Sequence, residues 1–159
     1  MPGLSLTIAG LHRTFGPELG HYLDVARVAD EVGIDQLLLA DHVDMDVSSE
    51  ADVQRAVNTL IERDGKIDVL VNDAATSVGK PLTETSLDEW NRVLGVNLTG
   101  VFLMSRAAVR AMLDQEPLND VRGRIVNISS QHGMVACPQD VAYGTSKAAL
   151  IGLTRQMAI

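Results

Sequence analysis

Short apolar runs alternate along the chain with longer stretches in which apolar residues recur at helical spacing. The runs predict buried strands, and the spaced stripes predict amphipathic helices. The predicted strands cover residues 4–9, 34–43, 67–72 and 125–129, and the predicted helices cover residues 17–32, 50–64, 87–112 and 143–157. Strands that alternate with helices form a parallel sheet with right-handed crossovers. The pattern therefore predicts a single α/β domain over residues 1–159.

Two of the predicted helices begin at clear capping signals. Ser49 is followed three residues later by Asp52, and Ser86 is followed at the same spacing by Glu89, which makes a capping box. Gly65 is well placed to end the first of these two helices. We therefore expect one helix to run from Ser49 to Gly65 and a longer one to begin after Ser86.

The most informative polar residues are Tyr143 and Lys147, with Ser130 thirteen residues before the tyrosine. Residues four apart on a helix share a face, with Cβ atoms roughly 5–6 Å apart. A free tyrosine loses its proton near pH ~10, so proton exchange near neutrality needs a nearby cation that favours the tyrosinate. Taken alone, Y-x-x-x-K is short and is also found on ordinary helix surfaces. Ser130, however, follows a predicted strand, where a parallel sheet holds its active-site groups.

Further segments extend this pattern, and together they resemble the short-chain dehydrogenase/reductase family over residues 46–159. That family has an acidic-apolar pair after its third strand, an N-N-A-G segment after its fourth, and an Asn upstream of its Ser and Y-x-x-x-K. The matching segments here are Asp46-Val47, Asn72-Asp73-Ala74-Ala75, Asn97, Ser130 and Tyr143 with Lys147. The resemblance implies an incomplete Rossmann-type, doubly wound parallel sheet with helices on both faces.

The same resemblance implies hydride transfer between NAD or NADP and an alcohol or carbonyl substrate. Tyr143 would be the general acid/base, and Lys147 would favour its deprotonated form and bind the nicotinamide ribose. Ser130 would hold the substrate oxygen, and Asn97 would anchor a water in a proton relay. The implied cofactor-binding residues are Asp46, Val47, Asn72 and Ala74 around the adenosine half, together with Tyr143 and Lys147.

Residues 1–44 do not follow the dehydrogenase pattern. That family opens with T-G-x-x-x-G-x-G, whose backbone N–H groups hold the cofactor pyrophosphate at a helix N-terminus. In this chain Gly10, Gly16 and Gly20 are six and four residues apart, and no G-x-G occurs in this stretch. We therefore expect this chain to bind NAD or NADP only weakly.

The opening segment is similar to another family. A small-residue helix, the turn Gly33-Ile34-Asp35 and the pair Asp41-His42 resemble the first β-α-β unit of bacterial luciferase-like monooxygenases, which use a flavin or deazaflavin. The resemblances imply an atypical β-α-β opening over residues 1–44. They also imply a short-chain dehydrogenase core over residues 45–159 that lacks the family's C-terminal part.

Composition limits the classes of partner. The chain has 13 basic and 21 acidic residues, a net charge of −8, and no basic cluster, which argues against nucleic acid or an anionic membrane surface. No uninterrupted run of 18 apolar residues and no secretory signal is visible, so no spanning helix is expected. Cys137 is the single cysteine, which fits a reducing, cytoplasmic location. The dehydrogenase resemblance further implies a homo-oligomer formed through the two long helices.

A metal site and two alternative functions compete with this interpretation. Asp41, His42, Asp44 and Asp46 are suitable ligand types, but side chains alternate along a strand and cannot all converge, so we expect no metal. The chain is interpreted as an NAD(P)-dependent oxidoreductase. The alternatives are a catalytically silent hybrid fragment and a protein that binds flavin or deazaflavin through its first 44 residues.

Overall fold

Four parallel strands form a sheet in the part of the chain that the structure describes. The structure is a computed structural model, and it describes residues 45–158 together with the backbone of residues 5–8 and 36–39. The strands lie side by side in chain order: β1 (Ser5–Ile8), β2 (Gln36–Leu39), β3 (Val69–Asn72) and β4 (Arg124–Asn127). The register pairs Leu38 with Leu70 and Leu70 with Ile125. This confirms the predicted α/β class with a parallel sheet.

The helices follow the predicted capping signals. They are α1 (Glu50–Asp64), α2 (Leu87–Leu94), α3 (Val101–Leu113) and α4 (Val141–Met157), with a 3-10 turn at Gln131–Gly133. The Ser49 side chain accepts from the N–H of Asp52, and Gly65 ends α1 in the left-handed region at φ 79°. Ser86 and Glu89 form the predicted capping box at the start of α2. The predicted helix 17–32 lies outside the described residues.

The long helix predicted over residues 87–112 is not uniform. A π-helical segment, Gly95–Gly100, separates α2 from α3. Short π-helical insertions of this kind are often found at functional sites. The sequence prediction missed the segment because its cause is tertiary: it contains the fully buried Asn97, and its last residue, Gly100, lies directly against Val47.

The core lies between the sheet and the helices α1 and α3. Leu70 of β3 packs with two helical stripes, one from α1 and one from α3, and the residues of these stripes are Val53, Val57, Leu60, Leu103, Met104, Ala107, Ala108 and Met112. Helix α4 lies on the same face of the sheet, because Thr154 accepts a hydrogen bond from Asn127 at 2.9 Å. Asn127 and Ile125 share that face, since side chains alternate along a strand.

The opposite face of β4 is more open. Val126 points away from the core and keeps 44% of its surface exposed. The sequence predicts helices on both faces, and the helix predicted over residues 17–32 lies outside the described residues. The three described helical layers, α1, α2–α3 and α4, all pack on the Leu70 face.

The continuous helical run Leu87–Leu113 has the length and composition of a membrane-spanning helix. The expectation of no membrane-spanning helix considered only uninterrupted apolar runs, and it stays a prediction. Half of its most apolar window is buried inside the described structure. The buried half of its apolar residues therefore already has a partner in the core.

The capping box at Ser86 generates a prediction about pH and stability. Glu89 accepts from Lys80 Nζ at 2.6 Å and from the Ser86 N–H at 3.0 Å. The Lys80 contact, followed by the Ser86 N–H, lowers the pKa of Glu89 from 4.5 to about 2. A carboxyl whose folded pKa is depressed contributes stability above its unfolded pKa and loses it as the pH falls through the folded value.

We therefore expect Glu89→Gln to be less stable than the parent near neutrality. The difference in unfolding free energy should shrink as the pH falls from 4.5 toward 2, because both proteins then carry an uncharged group at this position. Urea unfolding at successive pH values measures it, with exposed Glu84→Gln as the matched control. A difference that stays constant over this range would contradict the assignment.

Candidate active site

The carboxyl ends of β3 and β4 are joined by a buried amide. Asn72, which is 3% exposed, donates through Nδ2 to Asn127 Oδ1 at 2.8 Å and to Ser105 Oγ at 3.1 Å. Its backbone oxygen accepts from the N–H of Ile128 at 2.9 Å. These bonds hold the two strand ends and α3 together. The segments after Asn72 and after Asn127 therefore leave the sheet side by side.

Asn97 lies in the π segment and is fully buried. Its Oδ1 accepts from the N–H of Thr76 at 2.8 Å, and its Nδ2 donates to Thr76 O at 2.9 Å and to Ser146 Oγ at 3.0 Å. Ser146 in turn donates to the carbonyl of Tyr143 at 2.7 Å. The Asn97 side chain thus connects the segment after β3 to the helix that carries Tyr143 and Lys147. Both N–H donors of the Asn97 amide are used in these contacts, so a water in the predicted relay could not accept a hydrogen bond from them.

The chain after β4 turns directly onto α4. Ser129 Oγ donates to Lys147 O at 3.0 Å, and Ser130 Oγ accepts from the N–H of His132 at 3.2 Å, which caps the 3-10 turn. Gly133, the last residue of that turn, lies so close to α4 that a Cβ there would be 2.8 Å from the Lys147 carbonyl carbon. The glycine therefore permits the close approach that positions Ser130 beside this helix.

Tyr143 is held between the turn and the lysine. The His132 ring meets the tyrosine ring edge-on at 5.9 Å between centroids, and Lys147 Nζ lies 5.7 Å from the ring centroid. This arrangement agrees with the geometry predicted from the four-residue spacing. Lys147 can therefore act electrostatically on the tyrosine without a direct hydrogen bond to it.

Lys147 is a buried cation. The residue is 3% exposed, and its Nζ donates to the carbonyl of Ile128 at 2.7 Å. Burial lowers the pKa of Lys147, and the negative charge of Asp73 acts in the opposite direction. The lysine is therefore anchored to Ile128, the residue that follows β4 and precedes Ser129 and Ser130.

A small pocket lies at the same edge of the sheet. Its lining consists of Val47, Asn72, Ala74, Val96, Gly100, Val101 and Met104. The absence of a side chain at Gly100 lets the π segment approach Val47 closely, because a Cβ there would be 2.9 Å from Val47 Cγ2. Asp46 is exposed beside it, with its Oδ1 bound to Ser48 and its backbone N–H bound to Asp52.

The structure thus brings the predicted residues into two groups at one edge. Ser130, Tyr143 and Lys147 lie where the turn meets α4, and Val47, Asn72 and Ala74 line the pocket. Asn97 lies in the π segment beside that pocket and is bonded to α4. Sequence reasoning missed the partners Thr76, Ser146 and His132. Ser146 could have been found from its place between Tyr143 and Lys147, whereas Thr76 stands in a loop with no motif.

The possible metal ligands at Asp41, His42 and Asp44 lie outside the described residues. Within residues 45–158 the structure contains no group of three or more His, Cys, Asp or Glu side chains that could hold a metal ion.

Residues 23–159 match the sequence profile of the family described as short chain dehydrogenase. The chain belongs to the short-chain dehydrogenase family. The match begins earlier than the predicted start at residue 46, so it includes part of the segment that resembles the luciferase-like proteins. That second resemblance stays a prediction.

Relatives of known sequence and structure agree with the family. The chain is 36% identical over 118 residues to glucose 1-dehydrogenase 2 of Bacillus subtilis, covering 74% of this chain and 44% of the relative. A gluconate 5-dehydrogenase of Burkholderia cenocepacia, solved with NADP and tartrate, is 33% identical with a TM-score of 0.66, over 84% of this chain and 49% of that one. A short-chain dehydrogenase/reductase of Burkholderia phymatum, solved with NAD, is 32% identical with a TM-score of 0.68, over 87% and 46%. The chain therefore spans about half the length of these short-chain dehydrogenases.

The approach of the turn to α4 generates a prediction about Gly133. Gly133→Ala would force a methyl group into the backbone of α4, so we expect unfolding to become easier by ~1–3 kcal/mol, the usual cost of overpacking. Gly152→Ala on α4 is the matched control, because a Cβ there meets nothing within 4 Å. Alanine also favours a helix by ~1 kcal/mol relative to glycine. Denaturant unfolding measures both. Equal effects of the two substitutions would show that the turn does not pack against α4.

Proposed function

We propose that this chain is part of an NAD(P)-dependent oxidoreductase that interconverts an alcohol and a carbonyl compound. One observation carries the proposal: the buried Lys147 ammonium lies 5.7 Å from the Tyr143 ring and is fixed at the strand end that leads into Ser130. The relatives named above support the reaction class by their names. The substrate is proposed only as a small-molecule alcohol or carbonyl.

The proposed roles follow from the surroundings of each residue. Tyr143 exchanges the proton with the substrate oxygen, and Lys147 favours the tyrosinate through its charge. Ser130 donates to the same substrate oxygen from the start of the 3-10 turn. Asn97 holds α4 against the segment after β3 through its bonds to Thr76 and Ser146. General acid–base help of this kind is typically worth ~10²–10⁴-fold in rate.

The described residues fit the adenosine half of a dinucleotide. The pocket is lined by small and apolar groups, and the buried Asn72 Oδ1 has no hydrogen-bond partner within the described residues. Val47, Asn72 and Ala74, with Asp46 at the margin, would hold that half, and Lys147 would reach the nicotinamide ribose. When bound, the cofactor supplies or accepts the hydride.

The assignment of the two segments and of the assembly is also proposed. We take residues 1–44 as an atypical β-α-β opening to the dehydrogenase core at 45–159. A homo-oligomer is supported by an apolar row on the outer side of α3, where Phe102, Val109 and Leu113 are 45%, 40% and 63% exposed. A monomeric mass by light scattering would contradict it. A cytoplasmic location is supported by the single, unpaired Cys137.

Cofactor binding separates this proposal from its two alternatives. Loss of two or three charge-assisted hydrogen bonds to the pyrophosphate should cost on the order of 4–6 kcal/mol. We therefore expect no saturable binding of NADH or NADPH by the 159-residue chain below ~1 mM in calorimetry. Exchanging residues 1–44 for an opening with T-G-x-x-x-G-x-G should restore binding at least in part. Saturable flavin binding by the unmodified chain would favour the flavin alternative, and failure of the exchanged chain to bind any of these would favour the silent hybrid.

The proton-transfer role is tested at Tyr143. In the exchanged chain, Tyr143→Phe should lower the turnover of a reducible carbonyl by ~10²–10⁴-fold, because it removes only the hydroxyl that transfers the proton. Thr83→Val, which also removes one hydroxyl and lies at an exposed position outside the exchanged segment, is the matched control. Steady-state rates with unfolding curves for each variant make the comparison. Unchanged turnover in Tyr143→Phe would exclude the mechanism.

A further inference from the structure

The buried Lys147 ammonium lacks a direct ionic contact in the described structure. Its hydrogen bond goes to a neutral acceptor, the Ile128 carbonyl, at 2.7 Å. An ammonium carries three donors, and a buried charge is costly unless another charge or a set of hydrogen bonds compensates it. A negative charge nearby would therefore favour the protonated form of this lysine.

Asp73 is the carboxylate that the sheet brings to this place. It directly follows Asn72, whose backbone oxygen accepts from the N–H of Ile128 at 2.9 Å. Asp73 therefore leaves β3 beside the residue whose carbonyl holds Lys147. It also stands where the family pattern N-N-A-G has its second Asn, so this chain carries a charge at a position that the pattern leaves neutral.

We propose that Asp73 is a positioning residue that acts through Lys147, with its carboxylate as the counter-charge that keeps the buried ammonium protonated at the active-site edge. The contribution to catalysis rests on the proposed function, whereas the charge pairing does not. The expected effect of Asp73 agrees with the electrostatics of Lys147. Burial lowers the pKa of the lysine, and the charge of Asp73 raises it.

Within the described residues, the other charged and titratable groups around Lys147 have other contacts or are exposed, and none forms an ion pair with it. Tyr143 precedes it by one helical turn, and His132 packs on that tyrosine. Asp140, at the start of α4, accepts from Ser77 Oγ at 2.7 Å. On α2, which packs against α4, Asp88 is exposed, Glu89 is bound to Lys80, and Arg92 donates to Thr76. The π segment carries no charged side chain.

The charge pairing can be measured without turnover. The chain has three lysines, so ¹³Cε-lysine NMR gives three titration curves, and Lys147→Arg identifies the curve of Lys147. We expect Asp73→Asn to move the midpoint of Lys147 to lower pH and Asp73→Glu to keep it close to that of the parent. The curves of Lys66 and Lys80 should not move, and they report on the fold of each variant.

Glu116→Gln is the matched control, because it removes one negative charge from an exposed loop position far along the chain from α4. An Lys147 midpoint that stays in place in Asp73→Asn, or that moves equally in Glu116→Gln, would overturn the proposal. In a catalytically competent form, Asp73→Asn should also move the alkaline limb of the rate profile to lower pH. A shifted NMR midpoint without any hydride transfer would leave the charge pairing established and would count against the proposed function alone.

Discussion

The arrangement of the site depends on one buried amide, the side chain of Asn97. It satisfies both the N–H and the carbonyl of Thr76 and also reaches Ser146 on α4. A buried hydrogen bond contributes only ~0.5–1.5 kcal/mol net, but each buried polar group left without a partner costs ~1–3 kcal/mol. Because one side chain of the π segment bonds groups on two other segments, these three segments cannot move independently without leaving such groups unpaired. The π segment is the local backbone form that presents Asn97 to both partners.

The junction made by Asn97 places a charge where water is excluded. Helix α4 is held against the strand ends by Asn97, by the Ser129 bond to Lys147 O and by the Gly133 approach. Lys147 is consequently almost fully buried, and electrostatic interactions are stronger in such surroundings than in water. The same burial disfavours the charged form of the lysine. Burial therefore strengthens the effect of the lysine charge on Tyr143, but it also makes that charge costlier to maintain.

The small pocket and the group of Ser130, Tyr143 and Lys147 share an edge because all four described strands are parallel. Parallel strands end on the same side, so the segments after β3 and β4 emerge as neighbours. The approach of Gly100 to Val47 then brings the loop before α1 against the π segment. Backbone contacts at two glycines, Gly100 and Gly133, therefore set the positions of the two groups of site residues.

The sequence alone was sufficient for the features that arise from local spacing and capping. The alternation of strands and helices, the ends of α1 at Ser49 and Gly65, and the shared face of Tyr143 and Lys147 all follow from periodicity and short-range hydrogen bonds. Asn72, Asn97 and Ser130 could be named as site residues because they stand at recognisable places in a family pattern. The dehydrogenase family itself was recognisable from residue 46 onward, although the match extends to residue 23.

Only the tertiary structure decided how these residues are engaged. The contact of the π segment with Val47 through Gly100 and the partners of Asn97 join positions 21 to 53 residues apart in the chain. No local propensity encodes such contacts, because they exist only when β3, β4 and α4 pack together. The sequence specified which groups were available, and the packing of parallel strand ends against α4 determined which of them became buried partners.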